Sequence, residues 1–157
     1  GMIIMIDQDN KYYIGIDVSK EVLDVFVLPI NKYMQFKNEL KGIKKLIEKF
    51  SLFSSALIVM EATGGYEKPI AQALNKAEFK VSVVNPRQIR DFAKALGKLA
   101  KTDRIDAQTI ALFGEKMEPA PNVFYNENQQ QLADNNARRR QLIDMITMEK
   151  NRLGKES

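Results

Sequence analysis

The chain contains no cysteine and no histidine. The first absence removes disulfides, thiolate zinc sites and cysteine nucleophiles, and the second removes imidazole ligands and the commonest general base. Any catalysis must therefore rest on carboxylates, Lys, Tyr or Ser/Thr. Any metal site must be built from oxygen, which favours Mg²⁺ or Mn²⁺. Long hydrophobic runs are missing too: no stretch approaches the roughly 18 to 20 apolar residues that cross a bilayer. The opening GMIIMIDQDN lacks the basic flank and cleavage site of a secretory signal, and Gly1 ahead of Met2 reads as a remnant of tag removal. These absences lead us to expect a soluble, cytoplasmic protein.

What is present fits one globular domain with an appended element: 157 residues, 45% hydrophobic and 28% charged. The formal net charge of +4 is compatible with a polyanionic partner but is weak alone. Tyr12 to Val18 and Val22 to Leu28 read as strands joined by the polar turn Ser19-Lys20-Glu21, and Tyr33 to Lys37 as a third antiparallel strand. Asn38 stands where an N-cap would, ahead of an amphipathic helix over Glu39 to Phe50. Ala56 to Met60 (ALIVM) is a continuous apolar run, as for a strand buried on both faces, and Glu61 closes it. A turn at Ala62-Thr63-Gly64-Gly65 leads into a helix over Tyr66 to Ala77 and a strand over Phe79 to Val84. From Pro86 to Met117 the pattern is helical in two pieces, broken near Gly97 to Thr102 and ended by Pro119 and Pro121. The expected fold class is α/β, a mixed sheet with three antiparallel strands followed by alternating helices and strands, plus a C-terminal helical extension. The expected division is residues 2–118 as the main domain and 119–157 as linker and connecting helix. Within the latter, Leu132 to Leu153 carries only a sparse apolar stripe (Leu142, Ile146, Leu153), a pattern that wants a partner helix or a further domain.

Four acids carry the chemical argument. Asp17 ends the first strand and Glu61 ends the buried one, so pairing of these strands would bring the carboxylates to one edge of the sheet, where α/β proteins place ligands. Asp103 and Asp106 are spaced i to i+3, one face of a helix. Converging acids repel unless cations offset their charge, which makes metal binding their expected purpose. Two metal ions roughly 4 Å apart can stabilise both the attacking and leaving oxygens of a phosphodiester displacement, with no histidine required. Each acid has a blander explanation: an Asp before a turn, a solvated Glu at a strand end, or Asp103 as the N-cap of a helix beginning at Arg104.

The segments YYIGIDVSKEVLDVFV, VMEATGGYEKPIAQAL and VVNPRQIRDFAKALGKLAKTDRIDAQTIALF closely resemble the amino-terminal domain of DEDD transposases, the insertion-sequence group that includes the Piv-type DNA invertases. The resemblance runs from about Tyr12 to Phe113. It implies a domain like the Holliday-junction resolvase RuvC, within the ribonuclease H-like fold, that cleaves and joins DNA. The implied metal-binding and catalytic tetrad is Asp17, Glu61, Asp103 and Asp106. It further implies a carboxy-terminal domain carrying a serine for strand exchange, a structured RNA that pairs donor and target DNA, and connecting helices whose start matches Leu132 to Leu153. That helix is also the expected route to a homo-oligomer.

Lys20, Arg87, Arg90, Lys94, Lys98, Lys101 and Arg104 surround the acids and are the candidate nucleic-acid contacts, with a solvated helix face as the bland alternative. Tyr66 reads as a core residue or, less simply, a base-stacking one; Thr63, Asn85 and Arg87 are placed to orient carboxylates or phosphate. Two competing functions remain open at this point. One is a non-catalytic nucleic-acid-binding module of the same fold. The other is a fragment of an actin-like or sugar-kinase-type ATPase, suggested by Gly-Ile-Asp-Val-Ser but lacking a second phosphate loop and an adenosine site.

Overall fold

In a computed structural model, residues 11–97 and 105–124 are described here, and the described residues up to Asn122 belong to one compact unit. Strand β1 (Tyr12–Val18), β2 (Val22–Leu28) and β3 (Lys32–Lys37) form an antiparallel meander; β4 (Ala56–Glu61) and β5 (Lys80–Val84) run parallel to β1. The sheet order is β3-β2-β1-β4-β5. Helix α1 (Leu40–Phe50) connects β3 to β4, α2 (Lys68–Lys76) connects β4 to β5, and α3 (Pro86–Ala95) and α4 (Ala107–Met117) follow β5. This is the mixed α/β sheet expected from the sequence, three antiparallel strands first and helix alternating with strand afterwards.

The side-chain period of two divides every strand between two faces. Ile14, Ile16, Leu23, Val25, Val27, Ile58 and Met60 are all fully buried and share one face, because register pairs Ile14 with Val27 and Ile58, and Ile16 with Val25 and Met60. On that face Tyr12 packs against Phe53 with the rings tilted, Phe53 packs on Phe50 of α1, and α1 in turn meets α2. The opposite face carries Tyr13, Gly15, Asp17, Leu57, Val59 and Glu61. Here Val59 and Val84 join Ile89 and Ala93 of α3, Ile105, and Ile110 and Phe113 of α4 in one cluster.

Gly15 explains how closely α4 lies on β1. A Cβ at that position would sit 2.3 Å from both Ala107 O and Ala111 N, so only glycine admits the helix backbone. Gly114, further along α4, faces Val59 and Tyr13. The helix therefore runs opposite to β1, with its N-terminus over the end of the strand that carries Asp17.

Several element ends differ from the sequence expectation, each for a local reason. Asn38 is not the cap of α1; that position is Glu39, with no side-chain cap, because the Asn38 backbone N–H still pairs with Glu21 O and its amide donates to Ser19 O (2.8 Å). Helix α2 begins at Lys68 rather than Tyr66, since Gly64 and Gly65 take positive φ (82° and 126°) and Glu67 ties back the turn. Tyr66 is consequently half-exposed and not a core residue. Of the two late helices, α3 ends at Ala95 and α4 starts at Ala107. The segment Leu132 to Leu153 lies outside the described residues.

Candidate functional site

Asp17 and Glu61 occupy the same level of two adjacent parallel strands, since the pairing of Tyr12 with Ala56 through Ile16 with Met60 continues by one step to this pair. Period two places both carboxylates on the face that carries α4. The strands diverge after these residues: β1 turns back into β2 on one side, and β4 leads through α2 to β5 on the other. That divergence leaves a crevice at the carboxyl ends of the strands, the place where open α/β sheets bind ligands. A cleft of about 250 Å³ lies there, lined by Asp17, Val18, Glu61, Thr63, Pro86, Arg90 and Ile105. Both acids are half-buried, and Glu61 Oε1 is shielded from solvent.

Positive potential comes from two sources. Arg90, on α3, lines the cleft itself. The N-terminus of α4 points to the same end, and the aligned peptide dipoles of a helix favour negative charge there. Asp106 is the N-cap of α4: its Oδ1 accepts from Thr109 N at 2.8 Å, and it does not line the cleft. The capping role that the sequence suggested for Asp103 thus belongs to Asp106. Asp103 lies outside the described residues, as do Lys98, Lys101 and Arg104. Among the described residues no group of three acidic side chains could by itself hold a metal ion.

The remaining basic candidates scatter. Arg87 and Lys94 are exposed on α3; Arg87 contributes its backbone N–H to Asn85 Oδ1 (2.8 Å), so Asn85 is spent as the cap of α3. Lys20 lines a different groove, with Asn38, Leu40, Tyr66 and Pro69, and is not part of the acidic cleft.

Two acids matter here that the sequence reading passed over. Asp24 is the direct partner of Asp17 across the β1–β2 ladder, on the same face, and like charges placed opposite are unfavourable. The Tyr33 hydroxyl (2.6 Å) and Gln35 amide (2.7 Å) both donate to Asp24 Oδ1 and hold that charge. The Tyr33 phenol is correspondingly pushed above its ordinary 10.0, first by its bond to Asp24, then by burial and the negative charge of Asp24 and Asp17. The signal was legible: a tight turn at 19–21 fixes the register that opposes residues 17 and 24. Glu67 is the other, only 8% exposed, its Oε1 accepting from Thr63 N (3.0 Å), Thr63 Oγ1 (3.0 Å) and Gly65 N (2.9 Å). Burial works against its charge, but these bonds outweigh it and hold its pKa below the ordinary 4.5. Glu67 thereby fixes Thr63 in the cleft wall. Because the Thr63 hydroxyl proton is given to Glu67, its oxygen offers the cleft only acceptor capacity.

Comparison with known proteins places these features in a family. Residues 14–155 match the family model for DEDD transposases. The pilin gene-inverting proteins of Moraxella lacunata and Moraxella bovis are each 36% identical to the chain over 116 residues, which is 70% of this chain and 36% of theirs. The chain therefore spans about a third of the length of these relatives. Thermus thermophilus RuvC, solved with a Holliday junction substrate, superposes with a TM-score of 0.49 at 17% identity, over 73% of this chain and 100% of that one.

Proposed function

The chain belongs to the DEDD transposase family, and on that premise we propose that it is the catalytic domain of a DNA transposase or site-specific recombinase, cleaving phosphodiester bonds with divalent metal held by Asp17, Glu61, Asp103 and Asp106. The observation that carries this reading is the placement of Asp17 and Glu61 at one level of adjacent parallel strands, facing a single cleft that also holds Arg90. An all-oxygen donor set in a chain without histidine or cysteine fits Mg²⁺ or Mn²⁺. Ile105 lines the cleft, and Asp103 precedes it by two positions in the sequence. Asp106 keeps one carboxylate oxygen beyond its capping bond.

When bound, the metal supplies Lewis-acid stabilisation of the attacking and leaving oxygens. The chain's own residues do the rest. Arg90 binds a non-bridging phosphate oxygen and sets the scissile group against the acids. Thr63 accepts a hydrogen bond from a water in the cleft and orients it. Glu67 keeps Thr63 in place. Arg87 and Lys94, with Lys98, Lys101 and Arg104 upstream of α4, extend the phosphate track, and Lys20 serves a separate stretch of backbone. A structured RNA partner, self-association through Leu132 to Leu153, and the division at residue 118 belong to the same proposal.

The test is thermal melting with and without Mn²⁺. Metal that binds only the folded state stabilises it by about 2.7 kcal/mol at a hundredfold excess over its dissociation constant. Asp17→Asn and Glu61→Gln should each lose most of that gain. Equal shifts in wild type and Asp17→Asn would leave a nucleic-acid-binding domain without a metal site.

A further inference from the structure

We infer that the apolar groove between α1 and α2, headed by Tyr66, is a stacking subsite for an unpaired nucleobase, resting on the reading that the chain handles nucleic acid. The groove measures about 480 Å³, within the range of small-molecule sites. Its walls are Leu40, Ile43, Pro69 and Ala73. Leu40 is 70% exposed and Tyr66 50%, so a large apolar side chain and an aromatic ring face solvent side by side. Single exposed apolar residues are ordinary; two that line one concave surface call for an occupant.

The backbone beneath Tyr66 is held at both ends. Glu67 ties the N–H groups of Thr63 and Gly65. On the other side the Asn38 amide donates to Tyr66 O (3.3 Å) and to Ser19 O (2.8 Å), bracing the loop against the β1–β2 turn. A ring on a braced loop loses little more than side-chain rotation when it binds, which is the preorganisation a binding surface needs.

The chemistry of the rim selects the occupant. Lys20 offers a cation for a phosphate, whereas Glu39 on the same rim repels one, so a nucleic-acid backbone is directed along the Lys20 side with its base over Tyr66. In a duplex each base is already stacked between neighbours, and only an unpaired or extruded base presents a free face. The loop that carries Tyr66 leaves β4 directly after Glu61, so the subsite and the acidic cleft share one end of the sheet.

The experiment uses the whole 157-residue chain in EDTA, which separates this subsite from the metal reading. The probes are a single-stranded oligonucleotide carrying 2-aminopurine and the corresponding duplex. Tyr66→Ala should weaken single-strand binding roughly 5- to 150-fold, the range for one stacked base. It should also abolish 2-aminopurine quenching and leave duplex affinity near wild type, while Tyr66→Phe keeps both. Unchanged single-strand affinity in Tyr66→Ala overturns the subsite, as does an equal loss on single strand and duplex. Loss of a dimer in sedimentation without loss of nucleic-acid affinity also overturns it, giving the groove to a protein partner. Wild type that binds neither probe would remove the nucleic-acid reading itself.

Discussion

The two faces of the sheet are built from the same strands by alternate residues, yet they serve different ends. On the α1–α2 side, isoleucine, valine and leucine interlock into a layer from which water is fully excluded. On the α4 side the corresponding positions of β1 and β4 include a glycine, two carboxylates and a valine, with helix backbone in place of side chains over the strand. One face supplies the stability that the other spends on bringing like charges together, and neighbouring residues along one strand therefore answer to different pressures.

The sharpest way to break that comparison is to change Ile16 and Asp17 separately. Ile16→Ala removes a fully buried side chain and should lower stability by roughly 2–5 kcal/mol in urea unfolding. Asp17→Asn, one residue on, should change stability in EDTA far less, because it alters a half-buried charge opposite Asp24 and empties no core position. Equal losses from both would mean that Asp17 is structural. Gly15→Ala should come next, costing about 1–3 kcal/mol or more by overpacking and pushing α4 off the strand. Because the obstructing atoms are backbone, it should be worse than Gly114→Ala, which meets only a Val59 methyl at 2.9 Å.

Glu67 tests whether the cleft wall depends on a charged buried group. Its pKa in the folded protein lies below the ordinary 4.5, so its stabilisation is complete above that value and is lost as pH falls through the lower, folded pKa. Glu67→Gln should cost about 1–3 kcal/mol at neutral pH and flatten the acid limb of the stability profile; an unchanged limb would show that the loop holds without the charge. The smallest effect concerns Asp106. Asp106→Ala removes the α4 cap and should cost about 1 kcal/mol, whereas Asp106→Asn keeps it. A Mn²⁺-dependent gain in melting temperature that survives in Asp106→Asn would confine Asp106 to capping.

Much of the fold was legible because periodicity reports burial. The ALIVM run, the alternating strands around Ser19-Lys20-Glu21 and the helical spacing after Asn38 each state which side must be covered. Less was legible at the site. Asp17 and Glu61 stand out as acids at strand ends, but Asp24 sits mid-strand, and Glu67 looks like one more helix-entry charge until its three loop donors are seen. Tyr66 fell on the expected apolar stripe of α2, and only the glycine turn before it, by delaying the helix to Lys68, put the ring in solvent.

By itself, then, the sequence determined the order and kind of the elements, the oxygen-only chemistry open to any metal site, and the family, since each depends on residue type and spacing along the chain. The tertiary structure decided which carboxylates share a face, that Arg90 stands with them while Lys20 does not, and that Asp106 caps α4. Those outcomes depend on the β1–β4 register and on how closely α4 can approach Gly15. Both are set by contacts between residues far apart in the chain, which no local pattern encodes.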